Sequence, residues 1–147
     1  MNKEDAILSI QKAIESHKAQ MVKIEKLVYG QPVDNPTAVS KVKCDFGKWL
    51  YGEDNNVQKI LGEQFYEKLD TLHEQWHKEY LRIYNIFFKD NKKGFLSKLL
   101  GSKKIDSLEF DKAKLYYAEL GETTTSLLAS LGSSLRRLEA MNAAKFK

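Results

Sequence analysis

His73-Glu74-Gln75-Trp76-His77 fits the His-Glu-x-x-His pattern of zinc metalloproteases. In that pattern two imidazoles four residues apart on a helix share one face and bind one ion, and the glutamate serves as general base. The chain holds one further histidine, His17, and a single cysteine, Cys44. Three imidazoles and one thiolate make a plausible tetrahedral set for Zn²⁺. Each residue alone has a plainer reading. A histidine in an apolar seam is commonly a satisfied core residue, and a lone cysteine is commonly a small buried hydrophobe. The His-x-x-x-His pair and the seam position of His17 strengthen the joint reading as ligands.

The elements that must position these residues are helical. Over residues 3–29, Ile7, Ile10, Ile14, His17, Met21, Ile24 and Val28 recur at alternating spacings of three and four, the seam of a helix packed lengthwise. Gly30 and Pro32 end it. Asn35 before Pro36 reads as an N-cap opening a short helix through Val39 and Val42. Continued unbroken at about 100° per residue, that helix would carry Val39, Val42, Phe46, Trp49 and Leu50 on one face and point Cys44 away from it. Either Cys44 faces solvent or the helix breaks near Lys43–Gly47. The break is favoured, with Asp45 as cap and Gly47 easing the bend, so that Cys44 turns inward. Residues 55–88 read as one long helix with Leu69, His73, Trp76, Tyr80, Ile83 and Phe87 in its seam. A final helix spans about 106–144, with Ala113, Tyr117, Leu120, Thr124, Leu127, Leu131, Ser134, Leu138 and Met141 in its seam. The expected fold is all-α, an antiparallel four-helix bundle with a short broken second helix, forming one domain. Residues 1–88 form its metal-binding core, 89–105 a connector, and 106–147 the helix that completes it.

Composition narrows the function. The chain has 147 residues, 42% hydrophobic and 30% charged, with a net charge of +4, which is ordinary for a globular domain with its own core. Basic residues are interleaved with acidic ones, a solvated helix surface and not a nucleic-acid footprint. No apolar run approaches the roughly 20 residues that span a bilayer. The Phe95–Leu100 stretch with its lysines is too short for stable membrane insertion. The N-terminus lacks a signal-peptide layout, and one cysteine suits a reducing compartment, so a cytoplasmic location is expected.

The segment 43-KCDFGKWLYG-52 resembles the cysteine motif of the chemoreceptor zinc-binding (CZB) domain, roughly Cys-x-Phe/Leu-Gly-x-Trp-Leu/Tyr. The resemblance covers about residues 10–85. It implies that His17, Cys44, His73 and His77 are zinc ligands. Gln20 departs from the family, in which an aromatic residue follows the first histidine. Proteins of this family are bacterial and sense zinc or oxidants such as hypochlorous acid. Their CZB domains are commonly attached to chemoreceptors or diguanylate cyclases. This sequence shows neither a recognisable signalling hairpin nor a catalytic domain, so a stand-alone sensory module acting through a partner in chemotaxis or cyclic-di-GMP signalling is expected, and the resemblance implies a homodimer.

Three alternatives compete. A protease would need an open coordination position and a sheet edge for its substrate, and no sheet is evident; four protein ligands would leave Glu74 an ordinary surface residue and the chain no enzyme. A di-iron bundle needs Glu-x-x-His on two helices, and only Glu74-x-x-His77 occurs. The remaining alternative is a scaffold in which zinc staples the helices, since closed four-ligand sites are usually structural.

Overall fold

The computed structural model describes residues 1–88 and 105–146. Among them every regular element is helical: α1 (Lys3–Val28), α2 (Asp45–Tyr51), a 3₁₀ turn (Glu53–Asn55), α3 (Val57–Leu61), α4 (Glu63–Phe88), α5 (Ser107–Ala140) and a closing 3₁₀ turn (Ala143–Phe146). The expected connector, 89–105 with its Phe95–Leu100 centre, lies outside the described residues but for its last position.

Local signals set the ends of the long helices. The Asn2 side chain accepts the Asp5 amide at 2.7 Å and opens α1. Asp106 does the same for Glu109 at 2.8 Å and opens α5. Such caps satisfy amides that have no partner inside the helix. Gly30, at φ 82°, ends α1 as expected. Its amide donates to the Leu27 carbonyl.

α5 packs along both α1 and α4. Lys3 donates to the Glu139 and Met141 carbonyls, whereas Tyr117 near the other end of α5 reaches Met21 and Glu25. α1 and α5 therefore run in opposite directions. Trp76 pairs with Thr124, Arg82 with Glu119 and Arg137 with the Leu61 carbonyl, so α4 and α5 are opposed as well. The core lies where these helices meet. It is built from Ile10, Ile24 and Val28, from Leu69, Trp76, Tyr80 and Ile83, and from Leu120, Leu127, Leu131 and Leu138. The helix packing is of the bundle type, and the heptad seams read from sequence supply most of it. Ala6 and Ala13 widen the α1 seam and are fully buried or nearly so.

Three expectations are corrected. The helix through Val39 and Val42 does not form; residues 36–44 are turns and irregular backbone, and Asn35 is left-handed (φ 51°) instead of an extended cap. Here the carbonyls that a helix would use are taken by side chains of α1 and α4. Lys23 donates to the Asn35 carbonyl, Tyr80 to that of Thr37 and His77 to that of Val39. The helix expected over 55–88 is divided at Gly62, whose φ of 89° no other residue type adopts readily. Arg137 holds the carbonyl just before this break at 2.7 Å. The break expected at Lys43–Gly47 has no preceding helix to interrupt: α2 starts at Asp45, its cap is Cys44 and not Asp45, and Gly47 lies within its first turn.

Gly47 has a tighter role than easing a bend. A Cβ there would lie 1.6 Å from the Lys41 carbonyl oxygen, far inside contact distance. Gly47→Ala should push α2 off the turn that precedes it. The expected cost is about 1–3 kcal/mol, as for an overpacked core, measurable as a lower midpoint in urea unfolding of metal-free protein.

Candidate metal centre

Cys44 lies at the start of α2 with its backbone extended, so its side chain turns back over the first turn. The sulfur accepts the Gly47 amide at 3.3 Å and lies 3.4 Å from the Lys41 carbonyl, to which the thiol donates. These contacts aim it at α4. The distance from Cys44 Sγ to His73 Nε2 is 3.3 Å. From His73 Nε2 to His77 Nε2 it is 3.1 Å. One ligand atom from each of the three residues lies within 4.8 Å of the others.

His17 stands at the edge of this group. It is buried, and its ring meets those of His73 and Trp76 edge-on at 5.5 and 5.2 Å between centroids. Phe46 packs against His17 and His73 from the α2 side. Trp76 closes the inner wall, its indole nitrogen donating to Thr124 on α5 at 2.8 Å. Of the four residues proposed from sequence, Cys44, His73 and His77 thus form the close group, and His17 borders it.

Each imidazole has its Nδ1 beside an oxygen. His17 Nδ1 lies 2.7 Å from the Ala13 carbonyl, and His77 Nδ1 lies 2.9 Å from the Val39 carbonyl. A carbonyl only accepts, so both rings carry their proton on Nδ1 and present a lone pair at Nε2. His73 Nδ1 lies 3.4 Å from the Tyr51 hydroxyl. In the His73–His77 contact the His77 Nε2 is thus an acceptor, and with the His73 proton on Nδ1 the contact brings together two such atoms. A cation between them satisfies both. Zinc bonds of about 2.0 Å to nitrogen and 2.3 Å to sulfur, at tetrahedral angles, separate two nitrogens by about 3.3 Å and nitrogen from sulfur by about 3.5 Å. The observed spacings are close to those values, and the donor set is one zinc favours.

Burial acts on the same groups. Desolvation, reinforced by His77, His17 and Lys41, pushes the His73 imidazole down to about 2. Burial likewise holds His77 down at about 4, against the opposing bond to Val39. His17 is lowered for the same reason. The Cys44 thiol is raised by burial, only partly offset by the Gly47 amide. Without a cation the pocket therefore favours neutral rings and a protonated sulfur.

An outer set of residues was not singled out from sequence. Tyr51 donates to Asp70 Oδ1 at 2.6 Å. Lys41 bridges Asp70 and Glu74 at 3.1 and 3.5 Å and lies over the Tyr51 ring. Burial alone would raise the Asp70 carboxyl; the Tyr51 bond and the Lys41 ammonium outweigh it and hold it below the usual range. Asp70 lies three residues before His73 and four before Glu74, a spacing that places all three near one helix face. That spacing was the available signal. Gln20, the departure noted above, accepts the Thr37 hydroxyl and ties the irregular stretch to α1. A cleft of about 230 Å³ opens beside this stretch, and Cys44, His17 and His77 line part of it.

The family model of the CZB, or chemoreceptor zinc-binding, domain matches residues 17–84. The matched stretch is somewhat under half of the chain, and it is similar to that family over the whole of the site. The matched region begins at His17 and contains Cys44, His73 and His77, so zinc is the cofactor that the family and the donor set both indicate. No match was found among curated proteins or among solved structures. Among the described residues no helix is long and apolar enough to cross a membrane.

The lowered histidines carry a stability consequence for the metal-free protein. Their folded pKa values lie below the unfolded value of about 6.5, so the unfolded chain binds protons first as pH falls. Stability should be full above about pH 6.5 and decline through pH 4 by up to about 1.4 kcal/mol per pH unit for each such ring. Urea midpoints of metal-free protein at pH 7, 6 and 5 would show the decline; equal midpoints would contradict it.

Proposed function

We propose that the chain is a bacterial zinc-binding regulatory module in which His17, Cys44, His73 and His77 hold one Zn²⁺ and Cys44 is the responsive ligand. The observation that carries this reading is the 3.1 Å approach of His73 and His77 through Nε2, with Cys44 Sγ 3.3 Å from the first. His17 supplies the fourth donor: its Nδ1 is already occupied by Ala13, and its ring abuts that of His73. With four protein ligands no coordination position is left for substrate, and the chain is not an enzyme. Glu74, the general base of the protease alternative, is instead paired with Lys41 and Lys78.

Bound zinc would hold the Cys44 sulfur as thiolate, the form that oxidants attack. Hypochlorous acid transfers its oxygen to that sulfur, giving a sulfenic acid and releasing chloride. The cleft beside Cys44 supports access of so small a reagent from solvent. The oxidised sulfur is a poorer ligand and a poorer acceptor for the Gly47 amide, so the start of α2 loses two attachments together. In this reading α2 and α3 act as the discontinuous fourth member of an antiparallel bundle, and that member moves. The change is passed to a second copy of the chain in a homodimer, or to a chemotaxis or cyclic-di-GMP signalling protein, in the cytoplasm.

The structural alternative, zinc as a staple, is favoured by the closed ligand set. Zinc release separates the two. In the sensory reading a few equivalents of hypochlorous acid should free zinc to a colorimetric chelator while the far-ultraviolet helical signal stays within about a tenth of its starting value. Cys44→Ser should remain folded, bind zinc at least tenfold more weakly and release none on oxidation, by the loss of a thiolate ligand. Release only upon unfolding, with Cys44→Ser melting far earlier, would establish the staple.

A further inference from the structure

The three rings of the site differ in how their outer nitrogen is held. His17 and His77 rest on backbone carbonyls, which can only accept. His73 rests on a hydroxyl, which can accept or donate. A hydroxyl alone leaves the ring free to carry its proton on either nitrogen. If the proton sat on His73 Nε2, that nitrogen could not serve as a ligand, and His73 is the one ring in contact with both Cys44 and His77.

The next residue outward removes the ambiguity. The Tyr51 hydroxyl has one proton, and Asp70 Oδ1 takes it at 2.6 Å. A carboxylate offers no proton in return. Tyr51 can therefore only accept from His73, which draws the ring proton to Nδ1 against the competing arrangement in which Nε2 would donate to His77 Nε2 at 3.1 Å, and leaves the Nε2 lone pair facing the other two donors. Asp70 is kept ionised for this task by Lys41 at 3.1 Å. Lys41 is also the residue whose carbonyl receives the Cys44 thiol and abuts Gly47. One residue thus supports the cysteine turn through its backbone and the histidine relay through its side chain.

We propose that Tyr51 and Asp70 are positioning residues that fix the tautomer of His73 and so complete the metal centre before any ion arrives. This rests on the zinc reading above for its purpose, though not for its geometry. Conserving the ring in Tyr51→Phe keeps its stacking on His73, at 6.2 Å between centroids and 26° between planes, while removing the acceptor. Asp70→Leu leaves the hydroxyl in place but frees its proton to turn toward His73.

Two measurements on the full chain test this. Ring ¹⁵N chemical shifts report the tautomer of His73 in metal-free protein. The unsubstituted chain should show the Nδ1–H form; Tyr51→Phe should show a mixture, and Asp70→Leu a shift toward Nε2–H. Competition with a chromophoric chelator reports zinc affinity, which should fall about 10–100-fold in Tyr51→Phe, the usual cost of losing an outer hydrogen-bond partner of a ligand. Unchanged ¹⁵N shifts in Tyr51→Phe would overturn the proposal even if affinity fell, because the loss would then be one of packing. Affinity within twofold of the unsubstituted chain would overturn it equally. If the unsubstituted chain binds no zinc, the zinc reading fails instead, and the tautomer in metal-free protein still decides whether Tyr51 and Asp70 set it.

Discussion

Polar rings placed inside an apolar bundle have to be satisfied at every nitrogen, and most of the local architecture answers that requirement. An imidazole removed from water without partners is costly. His17 uses the carbonyl of its own helix one turn back. His77 uses Val39, and this bond is among those that keep residues 36–44 from coiling into a helix. His73 uses a side-chain relay. With the outer nitrogens engaged, the inner ones are left as lone pairs in a small space beside a sulfur, and a cation is the natural way to satisfy them. The irregular backbone between α1 and α2 is thus the form the chain takes when its carbonyls serve a site in place of a helix.

The shape of the cysteine motif follows from the same demand. Cys44 caps α2 with its sulfur, which places that atom at the helix start and toward α4. Phe46 fills the space between two of the histidine rings. Gly47 is the only residue type that fits beneath the Lys41 carbonyl. Trp49 and Leu50 then bury their side chains partly or wholly in the core and hold α2 down. Spacing within the motif reads as the steric recipe for one tight turn.

Much of this was legible in the sequence. Heptad spacing identified the three long helices and put His17 and His73 in their seams, because a period near 3.6 is a direct record of burial. The angular mismatch between Cys44 and its apolar neighbours signalled that no single helix carries them all, and α2 indeed starts only after Cys44, with no helix before it. What stayed hidden depended on contacts between distant segments. Nothing near Asn35 announces that Lys23, Tyr80 and His77 will claim the carbonyls that a helix over 36–42 needs. An isolated glycine such as Gly62 in a long amphipathic pattern is often tolerated and gives no clear sign in sequence; only its positive φ shows that it divides α3 from α4. The Tyr51–Asp70–Lys41 set eluded reading for a similar reason, since its members come from three separate segments.

The guanidinium of Arg137 on the Leu61 carbonyl gives the segment between α1 and α4 a mechanical asymmetry. At its far end that segment is moored to α5 by a bond that owes nothing to sulfur or imidazole chemistry, and Phe65 stacks beneath the same guanidinium. At its near end it is moored through Cys44 and the carbonyls around it. In the sensory reading proposed above, loosening the near end would leave the other fast, so that the piece would turn like a latch on a pin, with its travel largest at the N-terminal end of α2.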